Sequence, residues 1–108
     1  MKFSARAIRL GTSLPRGPVH DTLARQWVRA ATSIGANHRE ASRASSRRHF
    51  ITTMEIAQRE ADEALYWLDV LRESQVVDTA KTDDLRDEAD QIVAMLTTSI
   101  VNAKKQPK

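Results

Sequence analysis

Apolar residues recur every three or four positions in four successive runs, separated by residues that break or cap helices. Phe3, Ala7, Leu10 and Leu14 mark the first run, over about residues 2–13, which Pro15-Arg16-Gly17-Pro18 brings to a stop. The second covers about 20–43; stepping about 100° per residue, Leu23, Trp27, Ala30, Ile34 and Ala41 share one face, and Asp21 is placed to cap its free amides. Ser45 and Ser46 are candidate caps for a third, over about 46–74, whose inward set is Phe50, Met54, Ala57, Ala61, Leu65, Leu68 and Leu71. Thr82, followed by Asp83 and Asp84, opens a fourth over about 82–104, with Leu85, Ala89, Ile92, Leu96 and Ile100 on its apolar side. It closes on Lys104 and Lys105, and acids first with bases last suit the helix macrodipole. Short connections between long amphipathic helices predict an all-α fold: an antiparallel up-and-down four-helix bundle forming a single domain over residues 1–108.

Composition narrows the chemistry. The chain has 108 residues, no cysteine, three glycines and three prolines. That excludes a disulfide scaffold, a thiolate zinc site and a cysteine nucleophile, and argues against a turn-rich β fold. No apolar run approaches the eighteen or so residues of a membrane span, and no apolar core follows Lys2 to make a secretory signal. The first twenty residues, basic and amphipathic, read as a helix of the fold, and the expected compartment is the cytoplasm. Many inward positions are alanine, which brings helix axes close but buries little area per residue, so a chain this small gains from assembling with copies of itself.

Charge is divided unevenly. Residues 1–50 carry ten Lys and Arg against two acids, a net of +8, whereas residues 51–108 carry seven against twelve, a net of −5. Either the basic half has a polyanion partner or the two halves pair with each other. Arg25, Arg29, Arg39 and Arg43 fall within an arc of roughly 80°, opposite Ile34, and Arg47 and Arg48 follow in the next turn. Guanidinium groups so arranged suit phosphate oxygens and point to sequence-independent contact with RNA or DNA. The competing reading has them solvated or paired with acids, since Glu40 lies in the arc and the third helix offers Glu60 and Glu63.

A second apolar stripe on the third helix, Ile56, Trp67 and Val70 with Glu60 and Glu63 in the same sector, is turned roughly 120° from the core face. It is covered either by another helix of the bundle or by a second subunit, with Trp67 as the anchor. On the second helix, Arg29, Ser33, Asn37 and Glu40 repeat at intervals of four, four and three, which predicts a structural polar network fixing helix register. Nothing supports catalysis: there is no HExxH, glycine-rich phosphate loop or GxSxG elbow. No Glu-x-x-His pair serves a metal, because Gly17, Gly35 and Ser46 precede His20, His38 and His49 by three. The expectation is a protein that is not an enzyme and has no metal or cofactor.

The stretch from Gln26 to Leu71 resembles the four-helix bundle family of 23S ribosomal RNA intervening-sequence proteins, first known from reading frames inside insertions of bacterial 23S ribosomal RNA genes. The matching positions are Arg29, Ser33, Ile34, Asn37, Glu40, Ala41, Ser46 and Phe50, then Glu60, Glu63, Tyr66, Trp67 and Leu68. Many relatives have glycine where this chain has Ala41. The resemblance implies an up-and-down bundle assembling in rings of five. A relative, the accessory protein of diversity-generating retroelements, forms such a ring with a basic surface and binds nucleic acid and a reverse transcriptase. Two functions follow as expectations: a homo-oligomer that holds nucleic acid through Arg25, Arg29, Arg39, Arg43, Arg47 and Arg48, or a protein–protein scaffold whose arginines pair with acids. Of those six arginines only Arg29 belongs to the shared pattern.

Overall fold

A computed structural model describes residues 2–106 of the chain. Four helices follow one another: α1 (Lys2–Ser13), α2 (Pro18–Ser42), α3 (Arg47–Glu73) and α4 (Thr79–Lys105). Each packs on its sequence neighbour, α1 also touches α4 lightly, and α1 with α3 and α2 with α4 lie across the diagonals. The result is an antiparallel four-helix bundle with extents of 51 × 22 × 19 Å.

The inward faces are those the periodicity marks. Phe3, Ala7, Trp27, Ile34, Met54, Leu68, Leu71, Leu96 and Ile100 are buried, and among the described residues nine of the twenty buried apolar ones are alanine. Trp27 is the largest side chain fully enclosed, and it ties α1 to α2 in two ways. Its indole Nε1 donates to the Ala7 carbonyl at 2.9 Å, and its ring meets Phe3 edge-on at 6.0 Å. Gly11 lets the two helices close up: a Cβ there would stand 2.6 Å from a methyl of Val28.

Helix ends follow local chemistry, with two departures from expectation. Ser46 caps α3, its side chain accepting from the His49 amide at 3.0 Å. α2, however, begins at Pro18 behind Gly17, whose φ of 147° suits a residue without Cβ. Asp21 therefore lies in the first turn rather than at the cap, and its Oδ1 accepts from the Gly17 amide at 3.4 Å. α4 begins a turn earlier than expected, because Asp78 takes the cap by accepting from the Ala80 and Lys81 amides. Thr82 becomes a buried helical residue whose hydroxyl donates to the Asp78 carbonyl at 2.9 Å and accepts from Arg72 at 3.1 Å. α3 ends in a Schellman turn: Val76 donates to the Leu71 carbonyl and Gln75 to that of Arg72, with Gln75 at φ 62°.

One length decides the shape. α1 has 12 residues against 25 to 27 in the others, about 18 Å against about 40 Å at 1.5 Å per residue. Its contacts fall on the first half of α2 (Trp27, Val28) and on Glu88 of α4. The other half of the rod, where the α2–α3 corner meets the end of α4, is three helices thick.

Candidate nucleic-acid interface

The antiparallel register of α2 and α3 determines what each arginine faces. Arg29 sits opposite Glu60 and Glu63, and Glu40 opposite His49, so partners across this pair have residue numbers adding to about 90. Arg39 then faces the Phe50–Thr53 level, which holds no acid, and Arg43 faces Arg47, Arg48 and His49. The predicted stripe accordingly splits. Arg29 pairs with Glu60 at 3.2 Å and with Glu63. Arg25 is exposed and meets the Thr22 hydroxyl at 3.4 Å. Arg39, Arg43 and Arg48 are exposed and have no carboxylate within ion-pair distance among the described residues, while the Arg47 guanidinium donates to the Gln106 carbonyl.

Elsewhere five cations have acid partners, while Arg9, Arg59 and Lys81 are exposed without an ion pair among the described residues. Arg6 pairs with Glu88, Arg72 with Asp83 at 2.7 Å and Lys104 with Glu55 at 3.1 Å. Arg86 meets Asp69 at 2.7 Å and Asp90 at 2.6 Å; the hydrogen bond to Asp69 above all, then that to Asp90, pushes the guanidinium still further toward its charged form. The two halves of the sequence therefore do pair, through Arg6 and Arg29, but the pairing stops short of the corner. The up-and-down course also brings Lys105, in the last exposed turn of α4, to the corner end of the rod. Sequence reading treated that lysine as a dipole partner; its neighbourhood becomes visible only once α4 is laid antiparallel to α3.

The expected polar network does not form as one unit. Asn37 Nδ2 donates to the Ser33 backbone carbonyl at 2.9 Å within its own helix, Arg29 turns to α3 and Glu40 faces His49 at 3.6 Å. Among the described residues no hydrogen bond runs between the side chains of Arg29, Ser33, Asn37 and Glu40; Arg29 and Glu40 both meet α3, about three turns apart. The second stripe on α3 is half-covered: Ile56, Glu60, Glu63, Trp67 and Val70 are all intermediate in exposure. Glu60 and Glu63 are engaged within the chain by Arg29. Trp67 packs partly against the core, yet its Nε1 is buried with no acceptor among the described residues, while the neighbouring Tyr66 ring, 5.0 Å away and edge-on, is 59% exposed. Among the described residues no cluster of three His, Asp or Glu is poised for a metal, and no helix is long and apolar enough to cross a membrane.

The sequence model of the 23S rRNA-intervening sequence protein family matches residues 1–98, nearly the whole chain. The chain belongs to that family. A structural relative is the 1.70 Å crystal structure of a protein of unknown function from the S23 ribosomal protein family of Bacteroides thetaiotaomicron. It is 32% identical over 92% of each chain and superimposes with a TM-score of 0.82. No curated protein matches. Membership in the intervening-sequence protein family thus carries the fold, and the function has to be argued from the arginines.

Proposed function

We propose that this intervening-sequence family protein is a non-enzymatic, cytoplasmic bundle that assembles with copies of itself and holds RNA or DNA by its phosphates. Self-assembly in rings of five is what the family resemblance implies. The observation that carries the reading is the group of arginines at the α2–α3 corner, Arg39, Arg43 and Arg48, exposed and without a carboxylate partner among the described residues. Like charges crowded at one end repel one another, so an anion relieves a cost already present in the folded chain. Guanidinium forks match phosphate oxygens, and binding of this kind weakens steeply with salt. The test is fluorescence anisotropy of a labelled RNA oligonucleotide at 50 and 200 mM salt. Replacing Arg39 and Arg43 by alanine should weaken binding and lower the salt slope by about two units, with stability held within about 0.5 kcal/mol. Equal binding by that variant would refute the assignment.

One observation favours a scaffold. The half-buried Trp67 ring and the exposed Tyr66 beside it form an open aromatic pair, the kind of side chain that anchors a subunit interface. A subunit interface on this stripe predicts that Tyr66→Ala and Trp67→Phe reduce the mass measured by light scattering. An unchanged mass would remove the interface from α3.

A further inference from the structure

Building on the phosphate-binding reading, we infer that the α2–α3 corner takes double-stranded nucleic acid by its two backbones rather than a single strand. Single-strand binding without sequence preference rests on aromatic platforms beside the charges, on which successive bases stack. Among the described residues the corner offers no open Phe, Tyr or Trp ring. Phe3 and Trp27 are buried in the core, Phe50 is half-buried and packed against it, and the exposed His49 imidazole faces Glu40 at 3.6 Å. The open ring, Tyr66, lies eighteen residues along α3 from Arg48, about 27 Å away by the helical rise.

The charges themselves are laid out in two rows. Arg39 and Arg43 stand one turn apart on α2, and Arg47 and Arg48 open α3 beside them. Packed helices have axes about 8–10 Å apart, and long arginine side chains on both can reach phosphates on the two sides of a groove ~6 to ~12 Å wide. Both rows are held by rigid helices, and a duplex is rigid as well, so little ordering entropy is lost when they meet. A single strand offers half the charge density and must be ordered without stacking in return.

The test uses the full chain and four labelled probes of equal length: DNA duplex, RNA duplex, and one single strand of each. Affinities are compared per phosphate at about 100 mM salt. Either duplex should bind about fivefold or more tightly than its own single strand, and Tyr66→Ala should leave that ratio unchanged. Comparing the two duplex arms shows whether B-form or A-form geometry is preferred. Single strands binding as tightly as duplexes, or a loss of single-strand binding in Tyr66→Ala that duplex binding does not share, would overturn the duplex assignment while leaving phosphate binding in place. No binding to any probe would overturn the phosphate reading itself.

Discussion

The two halves of α2 carry arginines at the same helical phase, yet they occupy different electrostatic worlds. In the first half, Arg29 stands against Glu60 and Glu63 and Trp27 is enclosed beneath α1, while Arg25, one turn before Arg29, stays exposed beside the Thr22 hydroxyl. In the second half, Arg39 and Arg43 face a stretch of α3 that contributes Arg47, Arg48 and His49, and α1 does not reach them. The distinction arises outside α2. It is set by the order of charges along α3 and by the antiparallel register that lays this order beside its neighbour. An arginine stripe on a helix is thus only half a statement about function; the opposing helix decides which members stay available.

The largest test of the contrast is Trp27→Ala. It empties a fully buried site and removes the indole hydrogen bond to the Ala7 carbonyl, so a loss of about 3–5 kcal/mol in urea unfolding is expected, with α1 released first. If α1 serves only the first half, hydrogen exchange in the α2–α3 corner should rise less than in residues 2–30. Next comes the sign of glycine replacement in the two halves. Gly11→Ala forces a methyl against Val28 and should destabilise by about 1–3 kcal/mol. Gly35→Ala meets open space among the described residues and should stabilise by about 0.5–1 kcal/mol. Thermal melts of the two variants moving in the same direction would break the comparison. The smallest effect on stability is expected from Glu60→Gln with Glu63→Gln, under about 1 kcal/mol because the Arg29 side chain is 49% exposed. That pair should nonetheless free Arg29, raising the salt slope of nucleic-acid binding by about one unit. A slope that stays put would mean the acids are not what silences Arg29.

Features written into short segments were legible from the sequence. The apolar periodicity of Trp27, Met54 and Leu96, the proline–glycine break at residues 15–18 and the Ser46 cap all act within a turn or two. The start of α4 was not, because Asp78 and Thr82 both suit a cap and the choice depends on a distant group. Arg72 reaches across from α3 to Thr82 and Asp83, which favours burying the threonine and leaving the cap to Asp78. The arginine stripe was legible as a stripe, and the occupation of Arg29 was foreseen as one of two alternatives. Deciding between them needed the α2–α3 register. Trp67 shows the same limit: its angle on α3 could be counted, whereas the missing acceptor for its indole is a fact of three dimensions.

The abundance of alanine inside the bundle has a practical consequence for genetics. Among the described residues nine of the twenty buried apolar positions are already alanine, so a conventional truncation scan is blind to nearly half of the interior. Those sites respond instead to enlargement. Valine or leucine at Ala30, Ala57 or Ala64 would push apart axes that now approach closely, at about 1–3 kcal/mol each. Natural variation in such an interior should therefore run toward glycine and serine rather than toward the larger aliphatics, and a survey of tolerated codons would detect this constraint where a truncation scan registers silence.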